Sequence, residues 1–362
     1  MTLTFYIARR FLTLFAMVFG GFLLLLTLID MVEQVRRFEG IGMGEAARLA
    51  VLSVPSTLYR ILPLIVILST VGLFLSLARS SELVITRAAG RSALVTLMAP
   101  VGAALLIGAF GVSVLNPIAA ATTRAYDLRS GQHDTSSSTL SVSGEGFWLR
   151  QGGAEGQTVI HAERSNADGT ALWNVTFLTL TQDGQPARRV TAASAVLEPG
   201  GWRLSEIKEW PLGAGRNPEA ASILAPELLL SSDLTADRIR NSFSQPSTIP
   251  IWDLPEFIDG LQSAGFSARA HMVWLQMELS LPLFLAAMVL IGAGFTMRHV
   301  RFGRTGLMVL LALVSGYAVF FLRNFAQVLG ENGQIPVALA AWSPPVAATF
   351  LSLGLLLHLE EG

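Results

Sequence analysis

Six stretches of this 362-residue chain run for 18 residues or more without a single Asp, Glu, Lys or Arg. They are Phe11–Ile29, Ile61–Ala78, Ser92–Thr123, Leu279–Met297, Thr305–Leu322 and Asn332–Leu359. A helix of about 20 residues crosses the hydrocarbon core of a bilayer. Six helices of a soluble core would rarely stay apolar on every face for five turns. The runs therefore predict six membrane-spanning helices. The first follows Arg9 and Arg10, is too long for a signal peptide and lacks a small-x-small site near its end, so it reads as a retained anchor.

Charge gives the orientation. Arg9 and Arg10 precede the first run, Arg79, Arg87 and Arg91 lie between the second and third, and Arg298, Arg301 and Arg304 lie between the fourth and fifth. On the opposite side, Glu331–Val337 has no Lys or Arg and Asp30–Arg48 carries no excess of bases over acids. An excess of Arg in short loops marks the cytoplasmic side, so both termini are expected inside.

Catalytic classes find no support. The one lysine, Lys208, stands in "LSEIKEW" with no glycine-rich loop, so the chain cannot cradle nucleotide phosphates as a P-loop does. There is no H-E-x-x-H and no G-x-S-x-G, there are no cysteines, and the five histidines are scattered, which argues against an enzyme or a metal site. Only 14% of residues are charged and the net charge is −1, with no basic tract to suit nucleic acid.

Between the third and fourth runs the composition turns polar, from about Pro117 to Ala268. Residues 157–164, 172–181, 188–198 and 202–210 alternate as half-buried strands do, and "QDGQP" and "EPGG" read as the hairpin turns between them. A β-sandwich or jelly roll follows from this pattern. "IPIWDLPEFIDGLQSAG" (249–265) reads as an amphipathic helix leading back to the fourth span.

Two charged passages interrupt the apolar design. "ARSSELVITRAAGRSA" (78–93) predicts a short cytoplasmic helix over 80–91, with Ser80 or Ser81 as its cap, Glu82 in its first turn and Gly90 at its end. At 100° per residue Val84, Ile85, Ala88 and Ala89 share a shallow apolar face, with Glu82 and Thr86 on one flank and Arg87 on the other. That face suits a groove in another protein, and spacing alone equally allows a solvated turn. The second passage closes the first span, where Asp30, Glu33, Gln34 and Arg37 share one face and Arg36 lies beside them. Charges at a span's rim are functional candidates, although Glu33 and Arg37 can also satisfy each other as an i,i+4 pair. Arg323, in "FFLRNFAQ", is a further rim candidate or an inter-helix ion pair.

The strings "LLTLIDMVEQVRRFEG" (25–40), "LSVPSTLYRILPL" (52–64) and "SELVITRAAG" (81–90), in this order and with a domain inserted after the third span, resemble the LptF/LptG permease family of lipopolysaccharide export, nearer its LptG branch. The resemblance covers essentially the whole chain. It implies an α-helical membrane protein of six transmembrane helices (3+3) with an inserted periplasmic β-jelly-roll domain. The divisions would fall at 1–116, with the coupling helix at 80–91, then 117–268 and 269–362. It implies a non-catalytic inner-membrane subunit that binds no cofactor directly. An LptF-like permease, two LptB-like ATPases that use ATP in trans, and LptC-like and LptA-like periplasmic proteins would be its partners. Glu82, Val84, Ile85, Arg87, Ala88 and Ala89 would couple to the ATPase, and Arg36, Arg37, Arg124 and Arg323 would serve the lipopolysaccharide. Asp30 and Asp127 stand where the family pattern has basic residues, and Arg129 lies close enough to substitute for the second. Mechanotransmitting and lipoprotein-releasing ABC subunits also carry large external domains, but insert them after the first span; a membrane scaffold without transport would fit the composition alone.

Overall fold

Each of the long apolar runs is helical in the computed structural model of the chain. The structure describes residues 2–37, 42–83, 85, 92–130, 139–143, 146–153, 156–166, 169–181, 185–212, 217–232, 245–263, 266–297 and 305–361. The helices are α1 (Thr2–Arg37), α2 (Met43–Arg79), α3 (Ala93–Phe110), α4 (Asn116–Ser130), α5 (Leu254–Ser263), α6 (Arg269–Thr296), α7 (Thr305–Glu331) and α8 (Val337–Glu361). A single π-helical turn, Gly111–Leu115, joins α3 to α4 into one rod. Among the described residues, six helices are long and apolar enough to cross a membrane, with the α3–α4 rod counted as one.

Two compact units emerge. The first comprises Met1–Ser130, Pro250–Trp252 and Met272–Gly362. Its centre is made by α2 and α6, in whose most apolar windows 61% and 78% of residues are buried; the matching figures are 0% for α1 and 11% for α7. Phe11, Phe74 and Phe284 are fully enclosed in this core. The polar composition that begins near Pro117 starts inside a helix, because proline is tolerated in a first helical turn, where its missing N–H would have had no partner.

The second unit spans Gly131–Ile249 and Asp253–His271. Among the described residues it holds one antiparallel sheet of seven strands in sequential order. These are β1 (Thr139–Ser143), β2 (Gly146–Gly153), β3 (Gly156–Ser165), β4 (Ala171–Leu180), β5 (Pro186–Glu198), β6 (Gly201–Pro211) and β7 (Ile223–Ser231). The alternation read from the sequence sets the register. Leu149, Ile160, Phe177 and Val190 form one buried row across β2 to β5, and Ala162, Val175, Ala192 and Ile207 form another across β3 to β6. The predicted turn between β5 and β6 is built on Pro199-Gly200, with Gly200 at φ 97°, where only glycine sits without strain. The described strands run as a meander, each beside its neighbour in sequence; the crossing connections of a two-sheet jelly roll are not among them. Helix α5 realises the predicted amphipathic segment, with Leu254, Ile258 and Leu261 buried at i, i+4 and i+7.

Phe177 is fully buried and packs edge-on to Trp202, their ring centroids 6.2 Å apart. Phe177→Ala should destabilise the sheet by about 3–5 kcal/mol, because a cavity replaces the ring. The expected outcome is a lower-temperature unfolding transition of the full chain in detergent, followed by tryptophan emission. An unmoved transition would show that this row is not the core of the sheet.

Candidate functional site

At one end of the helical unit, α2 stops at Arg79 and the chain reverses through Ser81, held at φ 58°. The reversal sends the next two side chains to different neighbours. Leu83 is buried in the core that contains Ile7 and Phe11 of α1. Glu82 accepts a hydrogen bond from Arg10 Nη1 at 2.8 Å and another from Ser80 Oγ at 2.7 Å. Arg10 also donates to the Tyr6 hydroxyl at 2.7 Å. Burial pulls the Glu82 carboxyl up, but the bonds from Ser80 and Arg10 outweigh it and hold the group below its ordinary range.

The resemblance makes Glu82 a coupling residue toward an ATPase; in this structure the carboxylate is bonded to Arg10, 72 residues away on the same chain. Of the expected docking face, Ile85 is 66% exposed and free to meet another protein. Val84, Arg87, Ala88 and Ala89 lie outside the described residues.

The other end of the unit gathers the rim residues. Asp30 accepts a hydrogen bond from Ser53 Oγ of α2 at 2.7 Å. Gln34 is buried and exchanges hydrogen bonds with the Tyr126 hydroxyl of α4 at 3.2 and 3.3 Å. Arg36 stands two residues beyond Gln34, and Arg124 two residues before Tyr126. Two residues on a helix turn by about 200°, which points both arginines away from this contact. Arg36, Arg37 and Arg124 are all exposed, as are Asp127 and Arg129. The structure thus brings Arg36, Arg37 and Arg124 to one end of the unit, with Arg36 and Arg124 on the outside of an internal polar link and Arg37 on the same helix face as Gln34.

Arg323 is placed apart from them. It is half-buried, its Nη2 donates to the Met277 carbonyl of α6 at 3.1 Å, and its guanidinium carbon lies 5.1 Å from the centre of the Phe284 ring. Beside it is a group that sequence reasoning missed. Glu278 is only 3% exposed and accepts a hydrogen bond from the Tyr59 hydroxyl of α2. The available signal was its position, one residue before the uncharged run Leu279–Met297. Among the described residues, no group of three or more His, Cys, Asp or Glu could hold a metal ion.

A bundle of long apolar helices whose charged side chains lie mainly toward its two ends, with a separate antiparallel sheet, defines a multi-pass membrane protein. Comparison with known proteins makes the class specific: residues 5–358 match the lipopolysaccharide export system permease LptF/LptG, and the chain belongs to that family. It is similar to the lipopolysaccharide export system permease protein LptG of Escherichia coli strain K12, 23% identical over 359 residues and covering 96% of both chains. The LptG protein of Escherichia coli O6:H1 strain CFT073 is similar to the same extent. The chain is a transport subunit of lipopolysaccharide export, homologous to LptG.

The Arg10–Glu82 bridge is partly exposed, so its contribution should stay below about 1 kcal/mol. Arg10→Glu should speed hydrogen exchange at residues 82–85 by up to roughly fivefold, and the exchanged pair Arg10→Glu/Glu82→Arg should slow it again. Because the folded-state carboxyl is depressed, the bridge holds fully above the ordinary carboxylate range and loosens only as pH falls through the lower, folded-state value. Exchange rates indifferent to both substitutions and to acid would remove the bridge as a tether.

Proposed function

We propose that the chain is a 3+3 inner-membrane permease subunit with both termini in the cytoplasm. Residues 1–116 and 269–362 form the membrane part, and 117–268 form a periplasmic module that plays the part of the family's jelly roll. The observation that carries the reading is the uneven covering of the spans. Spans α2 and α6 are enclosed by their own chain, whereas α1 and α7 leave apolar faces open. Those open faces are where an LptF-like permease completes a cavity with this chain.

Lipopolysaccharide enters that cavity from the outer leaflet of the inner membrane. Helix α1 runs about 54 Å at 1.5 Å per residue, well past a hydrocarbon core of about 30 Å. Arg36 and Arg37 therefore stand at headgroup level, with Arg124 at the same end. There the arginine fork grips phosphate by two parallel hydrogen bonds. Arg323 serves the substrate indirectly, from inside the bundle. The periplasmic module passes the lipid on to LptC-like and LptA-like proteins.

The motor is supplied in trans by two LptB-like ATPases, and the chain itself takes no cofactor. The segment 80–91 docks one of them, with Val84, Ile85, Ala88 and Ala89 entering its groove and Arg87 on the flank. Glu82 then exchanges Arg10 for a basic group of the ATPase. The motion passes along α1, because Arg10 stands near the start of the helix that ends in Arg36 and Arg37.

Two measurements test this. Cysteines introduced singly at Asp168 and Arg301, in a chain with no native cysteine, should label from opposite sides of the membrane. Labelling from one side overturns the topology. Arg→Ala at position 36, 37 or 124 should weaken lipopolysaccharide crosslinking in the assembled complex by about 1.5–3 kcal/mol where the contact is shielded, and less where it is wet. Arg→Lys should restore part of it, since charge survives but the fork does not. Crosslinking unaffected by all three would separate these arginines from the substrate.

A further inference from the structure

Helix α7 has two unlike faces. Gly316, Arg323 and Gly330 recur every seven residues, so each lies within about 20° of the next around the helix. This is the packed face. A Cβ on Gly330 would fall 2.5 Å from Ala340 Cβ of α8, too close for a larger side chain, and one on Gly316 would fall 2.4 Å from the tip of Ile67 of α2, which would have to turn aside. On the opposite face Leu310, Val314, Tyr317, Phe321, Phe325 and Val328 are each between 51% and 61% exposed. The open face gives α7 no fixed rotation, because lipid tails match those residues as well as another helix does. Close packing at two glycines limits distance, but hydrogen bonding is needed to fix orientation.

Arg323 lies midway between the glycines, and its surroundings supply that bonding. Its Nη2 holds the Met277 carbonyl of α6, and the positive charge lies within electrostatic reach of the next residue, Glu278. Glu278 is in turn held by two other spans. The Tyr59 hydroxyl of α2 donates to it, and the side chain of Asn116 lies against it. Asn116 follows the π turn of the third span, and its Oδ1 accepts the Ile251 backbone N–H at 3.0 Å, which leaves its amide NH2 for the carboxylate. Glu278 is the one Asp or Glu buried among the described residues. A buried charge in a span is costly unless partners hold it, and here the partners come from three other helices.

We propose that Arg323 and Glu278 are positioning residues that pin α7, through Tyr59 and Asn116, to the fixed centre of the bundle, and so set the opening that α7 borders. The pin gives α7 one orientation while its outer face stays free for substrate or the partner permease. Its link to transport rests on the proposed route beside α7; the pin itself rests on the contacts above.

The test uses the native absence of cysteine. Spin labels at Val51 on α2 and Phe325 on α7, both more than half exposed, should give one narrow distance distribution in the assembled complex in lipid nanodiscs. Arg323→Met and Glu278→Gln should each broaden it, and Arg323→Lys should broaden it less. Removing one partner of a buried charged cluster also threatens folding, so the double substitution is the decisive variant: without a lone buried charge it should regain the parent's thermal stability. The distribution should nonetheless stay broad, and ATP-driven lipopolysaccharide release should fall by about tenfold, a usual size for coupling between sites. A double variant with the parent's narrow distances overturns the pin, and one with broad distances but the parent's rate of release overturns its role in transport. If the parent complex itself releases no lipopolysaccharide, the proposed route fails, and the distances alone uphold or reject the pin.

Discussion

In hydrocarbon no water is present to take up backbone or side-chain polar groups, and this single demand orders the helical unit. It makes each uncharged run a helix, where every N–H and C=O can be paired internally. It also governs the hydroxyls within the spans. Ser69, Thr70, Thr296 and Ser352 each donate to the carbonyl four residues back, at 2.5 to 2.8 Å, so each is satisfied by its own helix. What cannot be satisfied locally is moved to the ends or bonded across helices. Arg10 and Glu82 meet at one end, Asp30 meets Ser53 and Gln34 meets Tyr126 near the other, and Glu278 is held by Tyr59.

The same demand explains why one helix can serve both ends. Helix α1 is continuous for 36 residues, with Arg10 near its start and Arg36 and Arg37 in its last turn. None of the residues in its most apolar window is fully buried: Phe15, Phe19, Phe22 and Leu26 pack on α2 by one face, and the other face stays open. Helix α2, by contrast, is enclosed. In the proposed scheme a push at the Glu82 segment moves an outer, one-sided helix against a fixed centre. That asymmetry is what a permease subunit needs if a motor at one end is to act on arginines at the other, which is the working scheme proposed here.

How much of this could be read from the sequence depended on the distance over which each determinant acts. The spans were legible because twenty uncharged residues are a local signal. So were strands β3 to β6, since alternation with a period of two fixes which side chains face the core, and the Pro199-Gly200 turn announces its own geometry. Strand order was not legible; the rows Leu149, Ile160, Phe177 and Val190 satisfy alternation in many topologies, and only the pairing shows a meander. The π turn at Gly111–Leu115 lies inside an uncharged run and leaves no trace in hydropathy. Rim residues Arg36, Arg37 and Arg124 stood out as charges beside apolar runs. The partners of Asp30 and Gln34 did not, because Asp30 finds Ser53 and Gln34 finds Tyr126 only after folding. Tyr59 and Glu278 are 219 residues apart, and no spacing rule reaches that far. Arg323 reads equally as a rim charge or an inter-helix pair for the same reason: its partners come from α6.

Apolar surface alone cannot say what covers α1 and α7. An apolar groove of about 980 Å³ between α1 and α3, walled by Phe5, Phe15 and Phe110 over Ala99 and Ala103, is as compatible with acyl chains as with a partner's side chains. The exposed stripe on α7 has the same ambiguity, since lipid and leucine are equally apolar. Discrimination must come from the few polar groups that have no equivalent in a lipid tail. In this chain those groups are sorted: Gln34, Tyr59 and Glu278 are held between helices and fix them to one another, while Arg36, Arg37 and Arg124 are exposed near one end, at headgroup level in the proposed reading. An exposed guanidinium at headgroup depth attracts anions. The held set therefore determines where the spans stand, and the exposed set determines what they attract.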